Sequence, residues 1–281
     1  PRAFLRAYGI VKQSAAEGLQ ATPEVAARHC ESGGLQEEAL GYWRKAANHA
    51  HLRMALTEEI GHLRRAISIL LEHIPESRER DEQELELRRA LIEQLLSSSG
   101  IASTEVERQS ARARELCEKL DSPDKLFIAL LVRGLVDLGR GRNRAALQLS
   151  HELVNIASHI DSPDLKAQLA LPRGGALGML GDPLAALREL ESGVAAAEEA
   201  ARQGADLQAM VGVRITCMTW VADNLWLMGF PDRALDVSNQ ALAASQSDEV
   251  APPVRAQGLV GASTIAVLRK ESEKAAAYAD Q

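Results

Sequence analysis

The sequence predicts an all-α fold, a right-handed superhelical array of antiparallel helix pairs. One phrase recurs along the chain: a glycine, a short polar or proline-containing link, and Ala-Leu at the start of a helix. It occupies residues 34–40, 141–147, 181–187 and 229–235. Aromatic residues make up only 3% of a chain that is 46% hydrophobic, which favours close-packed helices over strands. A unit repeated in this way buries its apolar face against its neighbours, so the pattern indicates a repeat array.

The first part of the chain shows apolar residues at helical spacing between plain stop signals. Pro23 opens a helix, since proline is tolerated in a first turn, and Gly33 and Gly34 end it. The further helices predicted in this part cover residues 36–52, 56–73, about 85–95 and 104–120. For residues 1–20 two interpretations stand: an amphipathic helix, or the end of a domain that continued upstream. Residues 21–281 are predicted to form one repeat domain.

The second part continues the same alternation of helices and short turns. The turn Asp-Ser-Pro-Asp occurs at residues 121–124 and again at 161–164. The predicted helices here cover residues 124–138, 144–159, 163–180, 183–203, 207–228, 231–244, 252–268 and 271 onward. No segment has a convincing strand pattern. The chain begins at Pro1 and stops within a helical pattern, so we expect a piece of a longer protein.

Charge and cysteine usage narrow the classes of partner. The net charge of −7 and pI of about 5.6 argue against nucleic acid, because phosphate binding needs a basic face. No apolar run reaches the roughly 18 residues of a membrane helix, so no membrane partner is expected. The three cysteines, Cys30, Cys117 and Cys217, are far apart. This usage predicts a reducing, cytoplasmic location and three small buried side chains.

Small residues recur at one spacing in consecutive predicted helices. A small residue in the first helix of each pair is followed by an alanine twelve positions later. Such residues let two helices approach closely, whereas a large side chain would separate them. The pairs are Ala27 with Ala39, Gly134 with Ala146, Gly174 with Ala186, Ala222 with Ala234, and Ser263 with Ala275.

This pairing resembles the tetratricopeptide repeat family, which packs two antiparallel helices per repeat. Ala39 is followed by Tyr42 and Trp43, near the aromatic position of the family's second helix. The step of about forty residues exceeds the family's usual thirty-four or so, and the later copies lack that aromatic residue. The resemblance therefore implies a looser, longer-helix variety of an α-solenoid.

Several phrases resemble a narrower group. They are ARHCESGG at 27–34, EALGYWRKA at 38–46, HLRRA at 62–66, ARELC at 113–117 and WLMGFPDRAL at 226–235. They look like the C-terminal repeat region of bacterial multidomain proteins that join a class III adenylate/guanylate cyclase domain to an AAA-type ATPase domain. The resemblance implies that cyclase and ATPase domains lie upstream. A related setting is the ATPase-plus-repeat transcription regulator, whose repeats sense an inducer.

Two arginines are candidates for a binding groove. Arg133 and Arg173 each directly precede the small packing residue of their helices, so they share one register. In tetratricopeptide-like arrays the first helices line the concave face, where these side chains would bind carboxylates of an acidic peptide or another anion. The alternative is that they pair with local acids such as Asp137, or are solvated.

Trp220, Asp223, Asn224 and Trp226 form a second candidate cluster. Tryptophans in an aromatic-poor chain serve as a pocket wall or, alternatively, pack between neighbouring helices. No phosphate-binding loop, zinc-protease motif or other metal-ligand pattern occurs in the sequence, so neither a catalytic residue nor a metal or cofactor is expected.

These patterns predict a non-catalytic protein-interaction and regulatory module. Its partner would be a protein, a peptide or another domain of the parent chain. The alternative is a sensor that binds a small-molecule effector. A third hypothesis, an enzyme on an α/α scaffold, would need a convergent acid, base or metal cluster.

Overall fold

The computed structural model describes residues 22–100, 103–159, 162–247 and 250–281. Within these residues the chain forms thirteen helices and no strand. The first five are α1 Pro23–Ser32, α2 Gln36–Leu52, α3 Leu56–His73, α4 Arg78–Ser99 and α5 Thr104–Leu120. The others are α6 Pro123–Gly139, α7 Asn143–Ala157, α8 Pro163–Met179, α9 Pro183–Arg202, α10 Leu207–Leu227, α11 Pro231–Ser245, α12 Pro252–Leu268 and α13 Ser272–Ala279. The predicted all-α fold is confirmed.

The chain divides into two compact units, with the boundary between Ser122 and Pro123. The first unit contains α1 to α5 and the second contains α6 to α13. The single repeat domain proposed for residues 21–281 stays a prediction. The predicted N-terminal segment 1–20 lies outside the described residues.

The recurring glycine lies in the turn between the two helices of a pair. Gly34, Gly141, Gly181 and Gly229 all have left-handed backbone geometry, with φ between 71° and 87°. Only glycine adopts this conformation without steric cost, which explains why the phrase repeats. Lys270, with φ 62°, lies in an equivalent turn without that freedom.

Side-chain caps fix several helix starts. Ser77 Oγ accepts a hydrogen bond from the backbone N–H of Arg80 at 3.0 Å, so α4 begins at Arg78 rather than near residue 85. The carboxylates of Asp182 and Asp206 each accept a hydrogen bond from the backbone N–H three residues later, at 3.0 and 3.1 Å. Each cap satisfies a backbone donor that has no partner inside its helix.

In the second unit, alternate helices pack directly against one another. Each helix contacts the next one along the chain, and in addition α6 contacts α8, α8 contacts α10, and α10 contacts α12. These four helices form what we call the inner row. An apolar cluster of this unit joins α8, α9, α10, α11 and α12, and its members include the buried side chains of Leu190, Cys217 and Leu225. All three cysteines are buried, as predicted.

Candidate binding surfaces

Glycines set the spacing of the inner row. A Cβ placed on Gly134 of α6 would lie 3.1 Å from Pro172 Cβ of α8, and one on Gly178 of α8 would lie 2.9 Å from Asn224 Oδ1 of α10. Residues with side chains at these positions would push the helices apart. The candidate site residues lie on three helices of this row, α6, α8 and α10.

The members of each predicted small-residue pair lie on two helices that contact each other. A Cβ on Gly134 would meet Pro172 of α8 rather than its predicted partner Ala146. Those members that are almost fully buried are Ala27, Ala39, Ala146, Ala186, Ala222 and Ala234. In one pair the partners bond directly: Ser263 Oγ donates to the carbonyl of Ala275 at 3.2 Å. A Cβ on Gly174 would first meet Leu190, four residues beyond its predicted partner Ala186. That close contact is therefore with leucine, one helical turn further along α9.

Arg133 and Asp137 form an ion pair on α6. Arg133 Nε donates to Asp137 Oδ2 at 3.1 Å, and Arg142, from the turn after α6, lies 2.7 Å from the other carboxylate oxygen. Asp137 is only 1% exposed. A buried carboxylate needs such partners. Asp137 therefore binds both Arg133 on its own helix and Arg142 in the α6–α7 turn. This is the pairing with a local acid that stood as the alternative for Arg133.

Arg173 occupies the same register on α8 and is held more loosely. Its Nη2 lies 3.3 Å from Glu189 Oε1 of α9, and its side chain is 31% exposed. Its Nε is buried and has no hydrogen-bond partner among the described residues. Arg173 therefore keeps a donor that a bound acceptor could use.

Trp220 and Asn224 lie in the contacts of the inner row. The indole of Trp220 and the side chain of Leu138 both cover Gly175, within 3 Å of where a Cβ would stand. Asn224 is 6% exposed and donates from Nδ2 to the carbonyl of Trp220 at 2.8 Å. Both side chains therefore pack between helices, which was the alternative for the tryptophan.

Asp223 is the titratable residue of this cluster, and its pKa is shifted. Burial raises the pKa of its carboxyl to about 6, from 3.8. Its Oδ1 is buried and accepts no hydrogen bond from the described part of the chain. A carboxyl group in this setting has an unused acceptor, which an N–H donor from a ligand would satisfy.

The first unit contains a cavity that the sequence did not predict. It has a volume of about 770 Å³ and lies between α3, α4 and α5. Its lining includes four arginines, together with the apolar side chains of Ile67 and Leu91. The arginines, which define what we call the arginine cavity, are Arg64, Arg88, Arg108 and Arg112.

A buried carboxylate holds two of these arginines in place. Glu84 is 0% exposed; its Oε1 accepts from Arg88 Nε at 2.7 Å, and both its oxygens accept from Arg112 at 2.9 and 3.0 Å. Burial alone would raise the pKa of Glu84, but the hydrogen bonds from Arg112 and Arg88 outweigh it and leave the pKa lowered. Arg88 also donates to Gln109. These hydrogen bonds orient both guanidinium groups at the cavity.

A second carboxylate lies at the same cavity. Glu105 accepts from Arg64 at 3.0 and 2.5 Å, and these hydrogen bonds lower the pKa of Glu105. Glu84 and Arg112 are separated by 28 residues and Arg64 and Glu105 by 41. The signal available in the sequence was the i,i+4 spacing of Arg108 and Arg112, which places two like charges on one helix face.

Metal sites and membrane-spanning helices are both absent from the described part of the chain. No group of three or more histidine, cysteine or acidic side chains is arranged to hold a metal ion there. None of the helices in those ranges combines the length and apolar character needed to cross a membrane.

Comparison with known proteins identifies the fold. Neither a protein-family model nor a curated protein matches the chain. The structure of NprR in complex with its cognate peptide NprX is similar with a TM-score of 0.62 and 10% identity, over 99% of this chain and 75% of that one. A tetratricopeptide repeat protein from Parabacteroides merdae gives a TM-score of 0.58 and 13% identity, over 99% and 91% of the two chains.

A third similar structure belongs to a larger protein. It is a signal transduction ATPase with numerous domains (STAND) from Pyrococcus horikoshii that carries a tetratricopeptide repeat sensor, with a TM-score of 0.52 and 15% identity. All of this chain matches, but it spans only 43% of that one. At these identities the likeness concerns the fold: an all-α solenoid of the tetratricopeptide type.

Proposed function

We propose that this chain is a non-catalytic regulatory module that binds a protein or peptide segment along the inner row of its second unit. The supporting observation is a pair of unused polar groups on adjacent inner helices. Arg173 of α8 has a buried Nε donor, and Asp223 of α10 has a buried Oδ1 acceptor, both without partners in the described residues.

A peptide main chain carries both complementary groups. Its carbonyl oxygens would accept from Arg173, and its N–H groups would donate to Asp223. Both buried polar atoms would then be hydrogen-bonded, which removes the free-energy penalty of leaving them without a partner. Arg173 and Asp223 are both partly exposed, so side-chain rotations would bring the polar groups to the surface. NprR, a protein of similar fold, is seen in complex with its cognate peptide NprX, which supports a peptide as the partner.

The proposed setting is a larger bacterial, cytoplasmic signalling protein of the cyclase–ATPase type. The phrases at 27–34, 38–46 and 226–235 support this setting, as does the similar fold of a repeat sensor attached to an ATPase. In this setting the partner would be a separate protein or a neighbouring domain of the parent chain, and its docking would be transmitted to the catalytic domains.

The alternative, a small-molecule sensor of an ATPase-type transcription regulator, is favoured by a different observation. The arginine cavity of the first unit, with its 770 Å³, falls within the range of roughly 300–1,000 Å³ that small-molecule sites occupy. All the residues that line it belong to the first unit.

Peptide selection tests the docking proposal. Twelve-residue peptides displayed on phage would be selected against the 281-residue chain, and the affinities of the selected sequences measured by fluorescence anisotropy. We expect Arg173→Ala and Asp223→Ala each to weaken binding by about ten-fold. Arg188→Ala, an exposed arginine on α9, is the matched control and should change nothing. If the selected peptides bind the Arg173 and Asp223 variants as tightly as the unaltered chain, the inner row is not the docking surface.

A further inference from the structure

The arginine cavity has more positive than negative charge. Its four guanidinium groups face two carboxylates, those of Glu84 and Glu105, and each carboxylate is shared between two arginines. Glu115 also accepts from Arg112, at 2.9 Å, but it is exposed and does not line the cavity. An excess of fixed positive charge therefore remains where a ligand could enter.

The arginines fall into a fixed pair and an open pair. Arg88 and Arg112 are oriented by the fully buried Glu84, so their position is set before any ligand arrives. Arg64 and Arg108 share Glu105 near the surface. Arg108 is 75% exposed, and its distance of 3.8 Å to Glu105 is too long for a hydrogen bond. Arg108 is thus the guanidinium with the most donors to offer.

Arg108 and Arg112 lie one helical turn apart on α5. Like charges at this spacing repel each other, and an anion between them would turn the repulsion into two attractions. The planar fork of a guanidinium matches the two oxygens of a carboxylate or phosphate group. Ile67 and Leu91 supply apolar surface in the same cavity, which suits a ligand that is charged at one end only.

We propose that the arginine cavity binds an oxyanion, a carboxylate or phosphate group carried on a ligand with a short apolar part, between Arg108, Arg112 and Arg64. This site goes beyond peptide docking on the second unit, since it uses none of the inner-row residues. It deepens the sensor alternative, because it names the class of effector that the cavity would accept.

The test uses two small probes on the full chain. Hexanoate presents a carboxylate and n-butyl phosphate presents a phosphate, each with a short alkyl tail; hexanamide is the neutral control. Binding would be followed by NMR through the Nε–H signals of the arginine side chains. We expect saturable shifts with at least one anion, none with hexanamide, and weaker binding at higher salt. The stronger of the two anions identifies the source of the oxyanion.

Substitutions locate the binding. Arg108→Gln should weaken binding by about ten-fold without altering the thermal unfolding curve, because this side chain is exposed. The matched control is Arg89→Gln, an exposed arginine of α4 that does not line the cavity; it should leave the affinity unchanged. Absence of saturable binding by both anions, or an equal loss in the Arg89 variant, would overturn the proposal. Neither outcome bears on the peptide selections against the second unit.

Discussion

Replacing Gly174 by alanine tests how closely α8 and α9 pack. A Cβ at this position would stand 2.6 Å from Leu190 Cγ and 2.7 Å from Leu190 Cδ2, whereas carbon atoms attract optimally at about 3.5–4.0 Å. Leu190 is fully buried, and Cγ is fixed close to its backbone, so the side chain cannot simply turn away. The helices must move apart.

The expected cost is the difference between two effects. Inserting a methyl group into a packed core costs about 1–3 kcal/mol, while Gly→Ala inside a helix gains about 1 kcal/mol. Gly174→Ala should therefore destabilise the second unit by about 1 kcal/mol. Gly41→Ala in α2, where no atom lies within 4 Å of the new methyl group, should instead stabilise the chain by about 1 kcal/mol.

A double-mutant cycle isolates the contact. Leu190→Ala alone should cost about 2–5 kcal/mol, and less in a chain that already carries Gly174→Ala, because the added methyl group partly fills the space. Urea unfolding would be followed by tryptophan fluorescence, to which Trp220 and Trp226 of the second unit contribute. Effects of the two substitutions that add to within about 0.5 kcal/mol would show that the residues do not interact. The reasoning would also fail if Gly174→Ala stabilised the chain as much as Gly41→Ala.

Three further changes have expected outcomes. Glu84→Gln leaves Arg88 and Arg112 without their carboxylate and should cost about 2–3 kcal/mol in urea unfolding, the value for a buried pair reduced for the exposure of Arg112. Because the pKa of Glu84 is lowered from 4.5, the stability that this carboxylate contributes is present above pH 4.5 and is lost as pH falls through the lowered pKa. An unchanged acid-unfolding curve for the variant would contradict this. The pKa of Asp223 is raised from 3.8 to about 6, so the folded state binds more protons than the unfolded state between these values, and the resulting stability is lost as pH rises through about 6. Asp223→Asn should therefore add about 1 kcal/mol at pH 7 and abolish that pH dependence in thermal unfolding; a variant that keeps it would exclude Asp223 as the cause. Lys270→Gly should keep the left-handed backbone of this turn but remove its steric cost of about 1–2 kcal/mol, while the glycine raises the entropy of the unfolded chain. Thermal unfolding should therefore show a net gain of about 0.5–1 kcal/mol, and a loss would indicate that the Lys270 side chain contributes more than its backbone costs.

The sequence carried the repeat architecture because the signals for it are local. A turn glycine such as Gly181, a proline such as Pro183 and apolar spacing all act within a few residues, so helix bounds were predicted to within a few positions. The start of α4 was placed late because the cap at Ser77 precedes a densely charged segment with few apolar residues.

Side-chain partners depended on how neighbouring helices align, which no local signal determines. The i,i+4 pair of Arg133 and Asp137 could be named from the sequence, since both side chains lie on one helix. The second partner of Asp137, Arg142, comes from the following turn, and Glu84 meets Arg112 across two helices. A single sequence contains the members of such groups but not the helix alignment that brings them together.

The direct packing of alternate helices has a consequence for how the second unit folds. Its substantial contacts join helices that are adjacent or next but one along the chain, so the loops that must close are short and their entropic cost is small. Such a unit can begin folding at any of its pairs and extend by adding neighbours. During synthesis, α6, α7 and α8 could already pack around Phe127 and Leu153 while α12 is still inside the ribosome.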